Sequence, residues 1–522
     1  MKRKRRLLIV FSIIIFYVGL VFLLSFFEMR NPASKIDSIG DAVWYSVVTL
    51  TTVGYGDITP VTFEGRMVGI IFLLLSTGIL VTLISTVLSF VTGEALPLLV
   101  LYFNKYKNWY YFADFSAESD TLAQDILKED ANALIIYGIR KDDEIESPDY
   151  HCMFLNASPA RIVAQKRDCG EKCTFFFMRE NDIGASMKAI GVYRLPVNVY
   201  ARTTSGHENM SGNIHFFHSY DCCARSYWRN NPLRSTEKSI VLIGFGHYGE
   251  ALLERAILTN VISSGQHVAY HIFGDSTRFL RIHPNLGKIF NMNKKGPHND
   301  SLYFHKETWT VHHDILEFAD RIIICEDDEE LDWDILWQLQ RYYVVRGSIA
   351  IRSNRQAPGV NFFGTNEEIY TANQIIKTRL NTAAVVMNNL YRESVAGPTL
   401  TWDELDDLLK QSKIAAADHL YIKLRILLGV EDTLELNEAS CMLAYTRYRT
   451  KKLDPVTRDE LRKIEHIRWI HYYVYYNWSY GPVRDDTLRQ HPMIRPYDEL
   501  TDEQKAHHDF AWELLHEIAY LL

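Results

Sequence analysis

Two uncharged apolar segments, Leu7–Phe27 and Met67–Val91, bracket the sequence TTVGYGD at 51–57. No other feature constrains the chain as strongly. Coiled as a helix, a segment of this kind spans about 30 Å, the thickness of a bilayer's hydrocarbon core. The first follows KRKRR (Lys2–Arg6) and ends in Phe26-Phe27-Glu28, which lacks the small-residue site where a signal peptide is cut. Basic residues ahead of a first span stay on the cytoplasmic side. Two spans return the chain there, so both termini and everything beyond residue 95 are expected in the cytoplasm. All seven cysteines lie in that part, where reduced thiols are the default. The net charge of −8 argues against a nucleic-acid partner.

Between the spans, Asp41–Leu50 reads as a short helix with Asp41 as its cap. It is too short to span, so it should dip into the membrane and return. Non-helical backbone at that depth must be buried in protein or line a water-filled path. Thr52, Val53, Gly54, Tyr55 and Gly56 suit the second option, because glycine permits the positive φ that turns successive carbonyls to one side. TTVGYGD, in this order of span, short helix and span, resembles the selectivity filter of potassium channels. The resemblance covers residues 1–95. It implies a homotetramer in which the carbonyls of Thr52, Val53, Gly54 and Tyr55 and the Thr52 hydroxyl bind K+, with Asp57 at the outer mouth. Gly78, midway in the second span, is a candidate gating hinge. No arginine-rich span is present, so gating should come from the cytoplasmic part.

Residues 96–107 read as a linker and 108–370 as two stretches of similar layout. The second, 236–370, is the clearer. An apolar strand leads into Gly244-Phe245-Gly246-His247-Tyr248-Gly249 and a helix pattern, and a second strand ends at Asp275. Gly244, Gly246, Gly249 and Asp275 thus have the context of a dinucleotide-binding turn, or of glycines serving helix–strand packing alone. The first stretch, 108–235, has Ser116-Ala117-Glu118-Ser119 where the glycines would be, and reads as a degenerate unit. Paired Rossmann units behind a two-span pore resemble channels with RCK domains, the regulators of potassium conductance. That implies a cytoplasmic gating ring. The acidic run 326–330 reads as a solvated loop, with a calcium site as the alternative. His151, Cys152, Cys169 and Cys173 match no common zinc spacing.

Residues 371–522 read as helical, with a capping box at Thr401 and Glu404. The segment 400–520 resembles the ryanodine-receptor (RyR) repeat. The matching residues include Gln411-Ser412, Ala417-Asp418-His419, Glu465-His466, Arg468-Trp469, Trp478, Tyr480-Gly481-Pro482, Arg484-Asp485 and His491-Pro492. Asn477 stands where the family usually has glycine. The resemblance implies a nucleotide-type ligand, with aromatic rings stacking on a base and Arg484 and the histidines holding phosphate. His419, His466, Trp469, Trp478, Tyr480, Arg484, Asp485 and His491 are the candidate residues. Glu465-His466 could form an acid–base pair, but no nucleophile or metal set accompanies it, so no enzyme is expected.

The expected fold is a multi-domain membrane protein: a two-helix pore (1–95), two doubly wound α/β Rossmann-like domains and a mostly α-helical C-terminal domain. The expected function is a ligand-gated potassium channel of a bacterial inner membrane. A pore anchoring a nucleotide-processing enzyme, or carrying a purely structural ring, is the alternative.

Overall fold

The computed structural model describes residues 2–92, 95–138, 148–155, 162, 173–179, 197–203, 214–294, 299–376, 379–394 and 399–518. Cys169 lies outside them. The chain divides into two compact units, Met1–Lys105 and Tyr106–Leu522.

The first unit contains the helices Lys2–Glu28, Ile39–Leu50, Phe63–Thr92 and Ala95–Phe103. The last of these occupies most of the expected linker 96–107. Pro97 is tolerated there because it falls in the first turn, where its missing N–H has no bond to lose. The short helix starts at Ile39 rather than Asp41. Its cap is Ser38, whose hydroxyl accepts from the Asp41 N–H at 3.1 Å and donates to the Asp41 carboxylate at 2.7 Å. Leu24, Val68 and Phe72 join the two long helices in a small core, and Ala42 brings in the short one. Glu28 is buried and accepts hydrogen bonds from the hydroxyls of Ser34 and Thr62, both at 2.6 Å. It also accepts from the backbone of Val61 and Thr62, at 3.1 and 2.9 Å, and so fastens the loop ahead of Phe63. Among the described residues no helix is long and apolar enough to cross a membrane. The apolar stretches of Lys2–Glu28 and Phe63–Thr92, helices of 27 and 30 residues, run into side chains outside that description.

The second unit contains two parallel sheets. Strands β1 (Asn108–Phe112), β2 (Ala133–Tyr137), β3 (Cys152–Phe154), β4 (Cys173–Phe177), β5 (Asn198–Arg202) and β6 (Ile214–Phe217) lie in the order β3-β2-β1-β4-β5-β6. Strands β7 (Ser239–Ile243), β8 (Ala269–Phe273), β9 (Asn291–Met292), β10 (Ser301–His305), β11 (Arg321–Ile324), β12 (Ser348–Arg352) and β13 (Asn361–Phe363) lie in the order β13-β12-β11-β7-β8-β10-β9. Both orders reverse beside the first strand of their unit, the doubly wound arrangement that opens a crevice at the strands' carboxyl ends. Every residue of β2, β4 and β11 is buried, as expected of strands covered on both faces.

Helices dominate beyond 371, the longest being Arg379–Ser394, Asp407–Leu428, Glu438–Lys451 and Pro455–Tyr475. The Thr401–Glu404 capping box is present, but it opens only a single turn, Trp402–Glu404. The long helix restarts at Asp407 under its own cap, Asp406. These helices are fastened to both Rossmann units by polar and ring contacts. Asp418 accepts from Arg225 at 3.1 Å and from Arg255 at 2.9 Å. His471 Nδ1–H donates to the Ile257 carbonyl at 3.0 Å, and the His283 and Tyr475 rings stack at 4.0 Å.

Candidate functional site

The filter segment follows directly from the short helix. Val53 N–H returns to the Val48 carbonyl at 3.1 Å, which folds the strand back against the helix end. Thr52, Gly54 and Gly56 all have positive φ, at 62°, 59° and 73°. Alternate residues in the left-handed region give the peptide planes the repeating turn that points successive carbonyls to one side. Residues 51–57 are exposed in the single chain. Trp44 braces the segment from behind: its Nε1–H donates to Asp57 Oδ2 at 3.1 Å, and its ring stacks on Tyr55 at 6.3 Å. Gly78 sits inside the unbroken helix Phe63–Thr92, and a Cβ there would meet nothing within 4 Å.

The glycine turn of the second Rossmann unit has the expected shape and an unexpected occupant. Gly244 has φ 99°, and a Cβ on Gly249 would lie 2.2 Å from the Gly244 carbonyl, so both glycines are needed to bring helix and strand together. The anion seat at the start of helix His247–Thr259 is taken by Asp327. Its carboxylate accepts from the N–H of His247 at 3.1 Å, the N–H of Tyr248 at 3.2 Å and His247 Nδ1–H at 2.9 Å. Burial alone would raise its pKa, but these bonds outweigh it and hold the carboxyl below the usual range. A Cβ on Gly246 would collide with the same carboxylate at 2.4 Å. Gly244, Gly246 and Gly249 therefore form a turn whose helix-start N–H groups already carry a carboxylate of the same chain. Asp275 lies exposed beyond β8 and accepts the Thr277 N–H at 3.0 Å.

In the first unit Ser116 and Ser119 cap helix Ala117–Glu129 reciprocally, which fills the corresponding place. The acids of 326–330 also have structural partners. Asp328 caps Glu329–Tyr342, Glu329 accepts from Ser353 and Asn354, and Glu330 pairs with Arg355. Among the described residues no group of His, Cys, Asp and Glu is arranged to hold a metal ion.

The C-terminal helices enclose a cleft of about 420 Å³ between Arg379–Ser394, Asp407–Leu428, Pro455–Tyr475 and the loop 484–493. Of the residues picked from sequence, Trp469, Arg484 and His491 line it. Trp469 packs on Tyr473 at 4.4 Å and on His491 at 4.8 Å. Burial, with Arg484 nearby, pushes the His491 imidazole down to about 4. Arg484 Nε is occupied by Asp486 at 2.8 Å.

The other sequence candidates lie outside the cleft lining. His419 is fully buried, with Nε2–H on the Val261 carbonyl at 2.9 Å and Nδ1 3.2 Å from Lys423 Nζ. His466 is buried between the Arg495 carbonyl at 2.9 Å and His508 at 3.0 Å. Trp478 is buried in the core, and Tyr480 stands exposed outside the cleft. Asp485 closes a turn by accepting the N–H groups of Thr487 and Leu488, both at 2.9 Å. Asn477 has φ 64°, a left-handed conformation asparagine tolerates better than most side chains, and its amide donates to the Ile282 carbonyl at 2.7 Å. Sequence reading passed over Arg392, Lys413 and Tyr473, which line the cleft, and gave Arg468 no ligand role.

Two segments of the chain are similar to known families. Residues 7–93 match the ion channel family model, and residues 451–521 match the RyR domain model. A voltage-gated potassium channel of Aeropyrum pernix is 48% identical over 60 residues, 12% of this chain and 20% of the relative. Potassium voltage-gated channel subfamily A member 2 of Oncorhynchus mykiss is 34% identical over 122 residues, 22% of this chain and 21% of the relative. The chain thus spans about a fifth of the length of these relatives. Among solved structures the GsuK channel is similar with a TM-score of 0.38 at 14% identity, over 71% of this chain and 97% of that one. The GsuK channel bound to NAD has a TM-score of 0.35 at 12% identity, over 70% and 82%. Residues 7–93 are thus similar to the ion-channel domain of potassium channels. They share the chain with a segment, 451–521, that is similar to the RyR domain.

Proposed function

We propose that the chain is a subunit of a homotetrameric, potassium-selective channel in a bacterial inner membrane, opened or closed by a soluble nucleotide-type ligand. The filter backbone carries the first half of this reading. Its alternating left-handed residues turn successive carbonyls to one side, and only several copies arranged around an axis make those carbonyls a coordination shell. Exposed Ile15, Phe16, Phe22, Leu73, Leu74 and Val81 on the two long helices are apolar surface that lipid or neighbouring subunits would cover. Liposomes containing the purified chain should release K+ and retain Na+ when an ionophore supplies the counter-current. Equal permeability to both ions would refute selectivity.

The ligand half rests on the C-terminal cleft. It combines aromatic rings with cations, and its walls are fastened to the second Rossmann unit, so a change in the cleft has a rigid route to the ring. With Asp327 seated at the glycine turn, we read this cleft rather than the Rossmann loop as the seat of the ligand, and its role as sensing rather than turnover. Mass spectrometry of small molecules co-purifying with the chain tests this directly. A phosphorylated nucleotide is the expected species, and conversion of it by the purified protein would favour an enzyme instead.

A further inference from the structure

The cations that sequence reading singles out are not the ones left free to hold a ligand. Arg484 already has a carboxylate partner in Asp486. Three other basic residues line the cleft, each with donor groups left over. Arg468 is buried, and its Nε and Nη2 both donate to Glu465 Oε1, at 3.0 and 2.8 Å, while its buried Nη1 has no acceptor among the described residues. Arg392 Nε is likewise buried with no acceptor among the described residues; the nearby Glu404 serves as the cap partner of Thr401. Lys413 Nζ rests over the Tyr391 ring, 4.2 Å from its centroid, and makes no ion pair among the described residues.

These groups also crowd one another. Burial and the charge of Arg468 push the Lys413 amine down to about 8. Burial and the charge of Lys413 in turn lower His507. The two carboxylates in the lining cannot answer them, because Glu465 is shared by Arg468 and Lys423 and Asp486 is held by Arg484. Buried donors left over and more positive charge than the two lining carboxylates answer describe a site whose missing component is an anion with several oxygens. Trp469 and Tyr473, in the same cleft, offer faces to a planar ring.

We propose that Arg392, Lys413 and Arg468 form the seat for the di- or polyphosphate of a soluble nucleotide, with Trp469 and Tyr473 taking its base. This rests on the reading of the cleft as the ligand site and adds which groups hold the ligand and by what chemistry. A phosphate beside Lys413 favours the charged amine against burial and the opposing field of Arg468, so binding near pH 8 takes up a proton. Below pH 7 the amine is already charged and uptake should vanish.

The test is calorimetry on the full chain in detergent, with ATP, ADP, pyrophosphate and adenosine as probes, each in two buffers of different ionisation enthalpy. The expected result is that ATP and ADP bind, that pyrophosphate and adenosine bind more weakly, and that nucleotide binding at pH 8 takes up about half a proton. Lys413→Met should abolish the uptake and weaken ADP by about tenfold or more, and Arg392→Met should weaken it comparably. Because Arg468 is buried, these two wall variants decide the matter should Arg468→Gln fail to fold. Wild-type binding that both wall variants retain unchanged, or that proceeds without proton uptake, would overturn the phosphate seat while leaving the cleft a ligand site. Pyrophosphate binding as tightly as ADP would overturn the role of the rings. Binding of no probe by the wild type would overturn the seat and the nucleotide reading together.

Discussion

Arg468 and Glu465 share a doubly donated contact, with Nε at 3.0 Å and Nη2 at 2.8 Å from one carboxylate oxygen, while Lys423 Nζ holds the other oxygen at 2.6 Å. Lys423 in turn lies 3.2 Å from His419 Nδ1, and His419 Nε2–H reaches the Val261 carbonyl in the second Rossmann unit at 2.9 Å. One line of polar contacts therefore runs from the cleft wall to the end of the helix that follows the glycine turn. Burial would raise Glu465, but Arg468 and Lys423 overcome it and hold the carboxyl below its usual range. Burial brings Lys423 down to about 8 despite the carboxylate beside it. Removing the shared anion leaves two buried cations facing each other. Glu465→Gln should therefore destabilise the C-terminal helices by about 3–5 kcal/mol. A thermal melt of the full chain checks this, and an unchanged transition would show that the network carries little energy.

Asp327 makes a sharper prediction, because its removal should create a site. Asp327→Ala frees the N–H groups of His247 and Tyr248 at the helix start and relieves the crowding at Gly246. The variant should lose about 0.5–2 kcal/mol as a missing cap and gain phosphate or ADP binding at the glycine turn. Calorimetry on Asp327→Ala in the Lys413→Met background, where the cleft is disabled, isolates the new site.

The filter glycines are needed for their conformation rather than for space. A Cβ on Gly54 would meet nothing within 4 Å in one chain, yet its φ of 59° lies where L-residues are strained by about 1–2 kcal/mol. Gly54→Ala should keep the chain folded and reduce potassium flux at least about tenfold. Circular dichroism and liposome flux, measured together, separate the two effects.

Acid should loosen the C-terminal helices. Burial pushes His466 and His471 each down to about 4. In the unfolded chain they titrate near 6.5. The neutral form is the folded form, so this stability is complete above about pH 6.5 and is lost as the pH falls toward 4. Each histidine should contribute a slope of about 1.4 kcal/mol per pH unit in that window. Denaturant unfolding between pH 7 and pH 4.5 measures it, and a flat profile would contradict the burial of neutral imidazoles.

What was legible in the sequence was local. TTVGYGD carries its own conformational instruction, and the strand–glycine turn–helix around Gly244 is written in consecutive residues. Asp327 was not legible as a plug, because it reaches the turn from a strand end 80 residues further along the chain. The aromatic and histidine-rich segment marked the right module, but helix period alone did not separate inward His419 and His466 from the cleft-facing Trp469. Lys413 and Arg392 sit on other helices and become visible only when the fold brings them beside Arg468. The one available signal was position: Lys413 directly follows Gln411-Ser412, residues that match the repeat.

Planar-bilayer recording of the purified full chain, with opposed potassium and sodium gradients and ADP added to the side bearing residues 106–522, tests the central claim most directly. The account predicts a reversal potential that shifts by about 59 mV per tenfold change in the potassium gradient. It also predicts a channel open probability that changes with ADP in the wild type and not in Lys413→Met. A reversal potential indifferent to potassium, or gating by ADP that survives Lys413→Met unchanged, would contradict it.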